Sequence, residues 1–232
     1  MANANHQSGI DPAQGFAQGP NMPVILTFGD SNTHGSRPMT TPGVSSRFDA
    51  KDRWPTVMQA ALGREWHLVE EGLPGRTTRY PDPVMGGAMD GRVGLNSALR
   101  SHGPIDVLTI MLGTNDLKTR LDSNADSIIS GLAGMADVIF GPEMRARHPA
   151  LKTLLICPPL VREIGPFAGE FFGAERRGAA LPATMSAYAG ARGVGYLDAN
   201  TVIEVSEIDG IHFDADAHRA LGAAVAKAVT AL

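Results

Sequence analysis

The chain of 232 residues is 43% hydrophobic and 19% charged, with a formal net charge of −4. This ordinary globular composition excludes a collagen-like or wholly disordered chain, and the single cysteine, Cys157, excludes an internal disulfide and a cysteine-based zinc cluster. The lack of a concentrated basic run argues against a nucleic-acid partner, and no apolar stretch reaches the roughly 18–20 residues of a membrane span.

The first 22 residues are polar and rich in Gly, Pro, Gln and Asn. They lack the positive segment and the apolar segment that together define a secretory signal. We therefore predict a disordered or extended tail over residues 1–22, a single domain over residues 23–232, and a cytoplasmic protein.

Short apolar runs alternate along the chain with amphipathic segments. The run at residues 23–28 (PVILTF) is apolar on both faces, which is typical of a strand buried on both sides. Strands are predicted over residues 23–28, 66–69, 105–112, 151–157 and 195–198. Helices are predicted over residues 52–63, 91–102, 126–140, 182–192 and 216–232. This alternation predicts an α/β fold, in which helices cover both faces of a central parallel sheet.

Residues with reactive or hydrogen-bonding groups follow several of the predicted strands. In a parallel sheet, ligands bind beyond the carboxyl ends of the strands, so we expect these residues to lie close together. They are Ser31, Gly72, Gly75 and Asn115, and a later segment of the chain supplies Asp209 and His212.

This set contains the groups that acyl transfer requires. A serine hydroxyl becomes a good nucleophile when an imidazole takes its proton, and a carboxylate on the other ring nitrogen orients that imidazole. Backbone N–H groups of glycines and the Asn115 amide can stabilise an oxyanion. Asp209 and His212 are three residues apart, so one loop can hold both. The Gly-x-Ser-x-Gly elbow of other serine hydrolases is absent around Ser31.

In four blocks, the chain resembles the SGNH (GDSL-type) hydrolases. The order and spacing of the four blocks match those of the family from about residue 23 to residue 232. Residues 70–73 (EEGL), 111–116 (MLGTND) and 209–213 (DGIHF) look most similar to the bacterial arylesterase/acyltransferase branch of the family. The blocks are Gly29-Asp30-Ser31, Gly72 with Gly75, Gly113-Thr114-Asn115-Asp116 and Asp209-Gly210-Ile211-His212.

The resemblance implies a flavodoxin-like three-layer α/β/α sandwich. It implies that Ser31 is the nucleophile, that His212 is the base and that Asp209 orients the base. The oxyanion hole would be the backbone N–H groups of Ser31 and Gly75 together with the Asn115 side chain. Within the second block, Gly72 is the alternative donor to Gly75, where this branch can carry Ala.

Other residues near the blocks are candidates for the substrate pocket, and most have a purely structural alternative. Asp30 can fix loop amides, and the aromatic residues can belong to the core. His218 competes with His212 but falls in the predicted last helix, where a packing or surface role is expected, and His34 is a pocket or a turn residue. The pocket candidates are Asp30, Trp54, Phe167, Phe171 and Phe172.

We therefore expect a serine esterase that acts on small aryl or short-chain acyl esters through an acyl-enzyme on Ser31 and also transfers acyl groups to alcohols. A carbohydrate O-deacetylase with the same residues and a non-catalytic ligand-binding module are the alternatives. No cofactor and no metal are expected, because no metal-ligand spacing occurs. The resemblance also implies a homo-oligomer and suggests an octamer.

Overall fold

The computed structural model describes residues 22–232. Five parallel strands form one sheet in the order β2-β1-β3-β4-β5. The strands are β1 (Val24–Gly29), β2 (His67–Gly72), β3 (Val107–Met111), β4 (Lys152–Cys157) and β5 (Gly195–Asp198). The helices are α1 (Ser31–His34), α2 (Trp54–Leu62), α3 (Gly91–Ser101), α4 (Ala125–Ile139), α5 (Pro142–Arg147), α6 (Ala174–Gly178), α7 (Leu181–Arg192) and α8 (Ala215–Thr230).

Helices cover both faces of the sheet. On one face, Trp54 and Met58 of α2 pack with Leu221 and Val225 of α8. On the other face, the helices are α3, α4 and α7, and their buried side chains include Leu95, Leu99, Ile128, Leu132, Leu181 and Met185. The predicted three-layer α/β/α sandwich is therefore confirmed, and the strand order is the flavodoxin-like one.

The five predicted strands and five long helices all occur, with boundaries shifted by a few residues at most. Three short helices, α1, α5 and α6, are absent from the prediction. Each has four to six residues, which is too short for a repeating apolar pattern to be visible. The predicted tail over residues 1–22 lies outside the described residues, apart from Met22.

The carboxyl ends of the first three strands lie at one level. Gly29 pairs with Gly72 in β2 and with Met111 in β3. A side chain on Gly29 would collide with Thr33 and with the Met111 carbonyl oxygen, so glycine allows α1 to start directly against the sheet. The chain leaves β1 and β3 in opposite directions along the sheet, and such a switch point opens a crevice for ligands.

Candidate active site

Ser31, His212 and Asp209 form a hydrogen-bonded chain at this edge of the sheet. His212 Nε2 lies 3.1 Å from Ser31 Oγ, and His212 Nδ1 lies 2.7 Å from Asp209 Oδ2. All three residues are buried. The arrangement can therefore pass the serine proton to the imidazole while the carboxylate stabilises the imidazolium.

Asp209 is held by backbone amides as well as by the imidazole. Its Oδ1 accepts hydrogen bonds from the amides of Ile211 and His212, at 3.1 and 2.9 Å, and its Oδ2 accepts one from the Met39 amide at 2.8 Å. Burial alone would raise the pKa of Asp209, but the hydrogen bonds and the charge of His212 lower it below its ordinary value. Asp209 is therefore ionised and fixed in orientation.

Ser31 is the first residue of α1, and only Asp30 separates it from the end of β1. Asp30 caps this helix, because its side chain accepts a hydrogen bond of 2.9 Å from the Asn32 amide. The Asn32 side chain donates to the Ile211 carbonyl at 3.1 Å, which ties α1 to the segment that carries His212. As the first amide of a helix, the Ser31 N–H has no partner inside the helix and is free to face a substrate oxygen.

Gly75 and Asn115 line the same cavity as Ser31 and His212. Gly75 has a φ of +89°, which only glycine adopts readily. Gly72 has a different role: a side chain there would collide with the backbone of His34, and Gly72 does not line the cavity. Of the two glycines proposed for the second block, Gly75 is therefore the one that lines the cavity.

The Asn115 side-chain nitrogen donates to Asp30 Oδ2 and to the Arg76 carbonyl, both at 3.2 Å. Asp30 itself is buried and does not line the cavity, so its prediction as a pocket residue is wrong. Burial raises the pKa of Asp30 to about 6, against the lowering effects of the Asn32 amide and the charge of His212. Asp30 therefore has the structural role that its sequence position also allowed, which is to fix loop amides.

The cavity has a volume of about 510 Å³. Phe171 is buried in its wall, and the Phe167 ring stands edge-on to the His212 ring, with centroids 6.2 Å apart. These two of the four aromatic pocket candidates therefore contribute to the cavity. Its further apolar lining consists of Met39, Pro42, Pro74, Val84, Met85 and Ile211.

The other two aromatic candidates do not line the cavity, so these predictions are wrong. Trp54 is the first residue of α2 and is fully buried. It belongs to the apolar cluster that α2 and α8 form against the sheet. Phe172 follows the cavity residue Phe171, but it does not line the cavity and is 72% exposed. Residues at adjacent positions usually face different directions, and the sequence does not show which of the pair turns inward.

His218 and His34 are also placed outside the cavity lining. His218 is completely buried, with the rings of Phe48 and Phe213 each 5.3 Å away between centroids. This is the packing role expected of it. His34 ends α1 next to the turn at Gly35.

Sequence reasoning missed two charged residues of the cavity wall, Lys118 and Arg120, together with Glu170 beside them. Lys118 follows Asn115 within one turn of 3₁₀-helix. Its closeness in sequence to the third block could therefore have indicated that it lines the same cavity. No comparable signal marks Met39, Pro42 or Ser45, which come from the irregular segment after α1.

Residues 22–232 contain no group of three or more His, Cys, Asp or Glu side chains arranged to hold a metal ion. Across the same residues, every helix is too short or too polar to pass through a membrane.

Comparisons with known proteins identify the family. The sequence model of the GDSL-like lipase/acylhydrolase family matches residues 27–220. The aryl esterase of M. smegmatis is 34% identical, with a TM-score of 0.85, over 90% of this chain and 99% of its own. A carbohydrate acetylesterase from Sinorhizobium meliloti gives the same identity, TM-score and coverage.

A carbohydrate acetylesterase family member from Sinorhizobium meliloti is 31% identical, with a TM-score of 0.80, over 90% of this chain and 98% of its own. A search of curated protein sequences gave no match. The family model covers most of the chain, and the aligned region contains Ser31, Asn115, Asp209 and His212. The chain therefore belongs to the GDSL-like lipase/acylhydrolase family, and it is a carboxylic ester hydrolase.

Proposed function

We propose that this protein hydrolyses small aryl or short-chain acyl esters through an acyl-enzyme on Ser31. The observation that supports the proposal is the chain of contacts from Ser31 Oγ through His212 to Asp209, at 3.1 and 2.7 Å, in the wall of a cavity of about 510 Å³. A structural role alone would not require a buried serine, imidazole and carboxylate to be aligned in this order.

In the first half of the reaction, His212 Nε2 takes the proton of Ser31 as the serine oxygen attacks the acyl carbon. The bond from that carbon to the alcohol oxygen then breaks, and His212 returns the proton to the departing alcohol. In the second half, His212 takes a proton from water, and the resulting hydroxide attacks the acyl carbon. The bond from the acyl carbon to Ser31 Oγ then breaks, the acid leaves, and His212 returns the proton to Ser31.

The negative charge that forms on the ester oxygen in both halves needs donors that are already in place. The N–H groups of Ser31 and Gly75 and the amide of Asn115 are the groups of the cavity wall that we assign to this role. Without a ligand, the two hydrogens of the Asn115 amide go to Asp30 Oδ2 and to the Arg76 carbonyl, both at 3.2 Å. The oxyanion takes the place of one of these long contacts, and the other keeps the amide oriented before substrate enters. Such preorganised donors act on the transition state rather than on the bound ester.

The largely apolar wall also supports acyl transfer to alcohols. Water and an alcohol compete for one acyl-enzyme, and an apolar cavity favours an alcohol by holding it close and by removing part of the water. Phe167 and Phe171 supply apolar surface near His212 for this purpose.

Deacetylation of carbohydrates is the second candidate function. Lys118, Arg120 and Glu170 place charged groups in the cavity wall, and such groups can form hydrogen bonds with sugar hydroxyls. The similarity to a carbohydrate acetylesterase is as high as that to an aryl esterase.

A substrate panel with matched variants tests both candidates. Hydrolysis of 4-nitrophenyl acetate, 4-nitrophenyl butyrate and a peracetylated sugar is measured for the wild type, Ser31→Ala and Ser45→Ala. Ser45 lines the same cavity but lies outside the hydrogen-bonded chain, so its variant is the matched control. We expect Ser31→Ala to lose nearly all activity and Ser45→Ala to keep it. Full activity of Ser31→Ala would reject the proposal, and the better substrate separates the two candidates.

We also propose that the protein is a homo-oligomer. Val84, in the cavity wall, is 76% exposed, and Phe172, adjacent to a cavity residue, is 72% exposed. Large apolar side chains exposed in a cavity wall, or next in sequence to one of its residues, are suited to contact another subunit. Such a contact would narrow the entrance and reduce access of water to the acyl-enzyme.

A further inference from the structure

Lys118 is a buried cation in the wall of the cavity that contains Ser31. The residue is only 4% exposed, and its backbone amide donates to the Asn115 carbonyl at 3.2 Å. It is therefore fixed to the turn that carries Asn115. Lysine side chains are rarely buried without close partners, because an ammonium ion loses its hydration on burial.

The contacts of the Lys118 ammonium are long. Its Nζ lies 3.4 Å from Asp82 Oδ2, 3.6 Å from Glu170 Oε1 and 3.4 Å from the sulfur of Met85. Hydrogen bonds from nitrogen to oxygen usually span about 2.7–3.2 Å. The ammonium therefore keeps capacity to donate a short hydrogen bond to another oxygen.

The Arg120 guanidinium lies closer to the carboxylates of Asp82 and Glu170 than the Lys118 ammonium does. Its guanidinium donates to both oxygens of Asp82, at 3.1 and 2.7 Å, and to Glu170 Oε1 at 2.7 Å. Burial would raise the pKa of Asp82, but the bonds from Arg120 and from nearby backbone amides lower it well below its ordinary value. The two cations and two carboxylates of this cluster therefore cancel in charge without a ligand.

The ammonium lies at the end of the cavity that holds Gly75. The Met85 sulfur that contacts Lys118 Nζ would lie 2.6 Å from a β-carbon placed on Gly75. One thioether thus separates the ammonium from the glycine assigned to the oxyanion hole. A small ester in this cavity can extend from Ser31 towards the Lys118 ammonium.

We propose that Lys118 determines specificity by donating a hydrogen bond to a neutral oxygen of the substrate outside the reacting ester group. The substrate class is then an ester whose acyl or alcohol part carries an ether or hydroxyl oxygen, as a polyol or sugar ester does. A neutral acceptor fits better than an anion, because an anion would disturb the balanced charges of the cluster. The inference rests on the proposed function, since it assumes turnover at Ser31.

Two pairs of nearly isosteric esters test this inference. In the first pair, 4-nitrophenyl methoxyacetate and 4-nitrophenyl butyrate differ in one oxygen of the acyl part. In the second, 2-methoxyethyl acetate and butyl acetate differ in one oxygen of the alcohol part. The measured quantity is the ratio of kcat/KM within each pair, for the wild type, Lys118→Met and the exposed control Lys227→Met.

We expect the wild type and Lys227→Met to favour the oxygen-bearing ester of at least one pair by about tenfold more than Lys118→Met does, since the bond involves a charged donor. Comparison between variants cancels the intrinsic reactivity of the esters. The pair that responds identifies the part of the substrate that Lys118 contacts. Equal ratios in all three proteins for both pairs would overturn the inference.

Two further measurements keep the result interpretable. If Lys118→Met does not fold, Lys118→Leu replaces it, and the wild-type ratios are also compared with those of hydroxide-catalysed hydrolysis. Wild-type ratios equal to the hydroxide ratios in both pairs would also reject the role of Lys118. Failure of the proposed function looks different, because hydrolysis of all four esters would then be independent of Ser31.

Discussion

The Asn115 side-chain amide donates a hydrogen bond of 3.2 Å to Oδ2 of Asp30, the residue that precedes Ser31. The bond joins the end of β3 to the end of β1 across the crevice between them. The same Asp30 side chain caps α1 through the Asn32 amide. One buried carboxylate therefore sets both the start of the helix that presents Ser31 and the direction of the Asn115 amide.

This relationship predicts that Asp30→Asn lowers kcat although residue 30 does not line the cavity. The new amide can offer one oxygen to Asn32, but its nitrogen then faces the Asn115 nitrogen, and two donors repel. We expect Asn115→Ala to lower kcat by ~10²–10³, with a smaller change in KM. In the Asn115→Ala background, Asp30→Asn should have little further effect. Additive losses in this double-mutant cycle would show that Asp30 does not act through Asn115.

The hydrogen-bonded chain predicts the effects of changing its other two members. His212→Ala should cost about as much activity as Ser31→Ala, because the two residues act as a unit. Asp209→Asn should lower kcat by up to about 10⁴, the loss known for a trypsin-type triad. Steady-state kinetics of purified variants measure both effects. His218→Leu is the comparison: strong loss there with full activity in His212→Ala would mean that the wrong histidine was assigned.

His218 predicts a specific dependence of stability on pH. The ring is buried beside Phe48 and Phe213, and neither nitrogen has a hydrogen-bond partner among the described residues. Burial, together with the positive charges of His212 and Arg53, lowers the pKa of His218 to about 3, against the opposing charge of Asp52.

The folded protein thus keeps His218 neutral, whereas the unfolded chain protonates it below its ordinary pKa of 6.5. The stability that this group contributes is fully present above pH 6.5 and is lost as the pH falls towards 3. Between pH 6.5 and 5, the wild type should lose about 2 kcal/mol of unfolding free energy relative to His218→Leu. Urea titrations at the two pH values measure this. The exposed His67→Leu should follow the wild type, and a parallel response of His218→Leu would contradict the prediction.

The exposed side chains of Val84 and Phe172 lead us to predict a homo-oligomer whose dissociation weakens acyl transfer to alcohols. Light scattering should give a mass of more than one chain for the wild type and a smaller mass for the double variant Val84→Ser, Phe172→Ser. With vinyl acetate and benzyl alcohol, the dissociated variant should form relatively more acetate and less benzyl acetate, because water reaches the acyl-enzyme more easily. A monomeric wild type, or an unchanged product ratio after dissociation, would contradict this account.

Sequence alone predicted the fold well because buried parallel strands have an unmistakable composition. The run before Gly29 is apolar on both faces, and glycine, proline or polar residues follow the strands and mark their ends. These strand ends also indicated that Ser31 and Asn115 would meet, since parallel strands bring their carboxyl ends to one edge. His212 follows no strand directly, and the resemblance to the family was needed to place it there.

The errors have different causes, and one is that two adjacent residues of the same type can differ in burial. Phe171 is buried in the cavity wall and Phe172 is exposed outside it, a difference that depends on a long loop without periodicity. Trp54 was misplaced because a large aromatic residue suits a core and a pocket equally well. Lys118 was overlooked because a lysine usually lies at the surface, and only tertiary contacts with Asp82 bury it.

Covalent labelling of the nucleophile tests the central claim most directly. The wild type is treated with an alkyl organophosphonate ester, digested and analysed by mass spectrometry, with Ser45→Ala and Ser31→Ala in parallel. We predict that one phosphonyl group is attached to Ser31 in the wild type and in Ser45→Ala, with loss of esterase activity in proportion to labelling, and that Ser31→Ala stays unlabelled. Labelling of a different serine, or complete labelling of Ser31 with undiminished activity, would contradict the account.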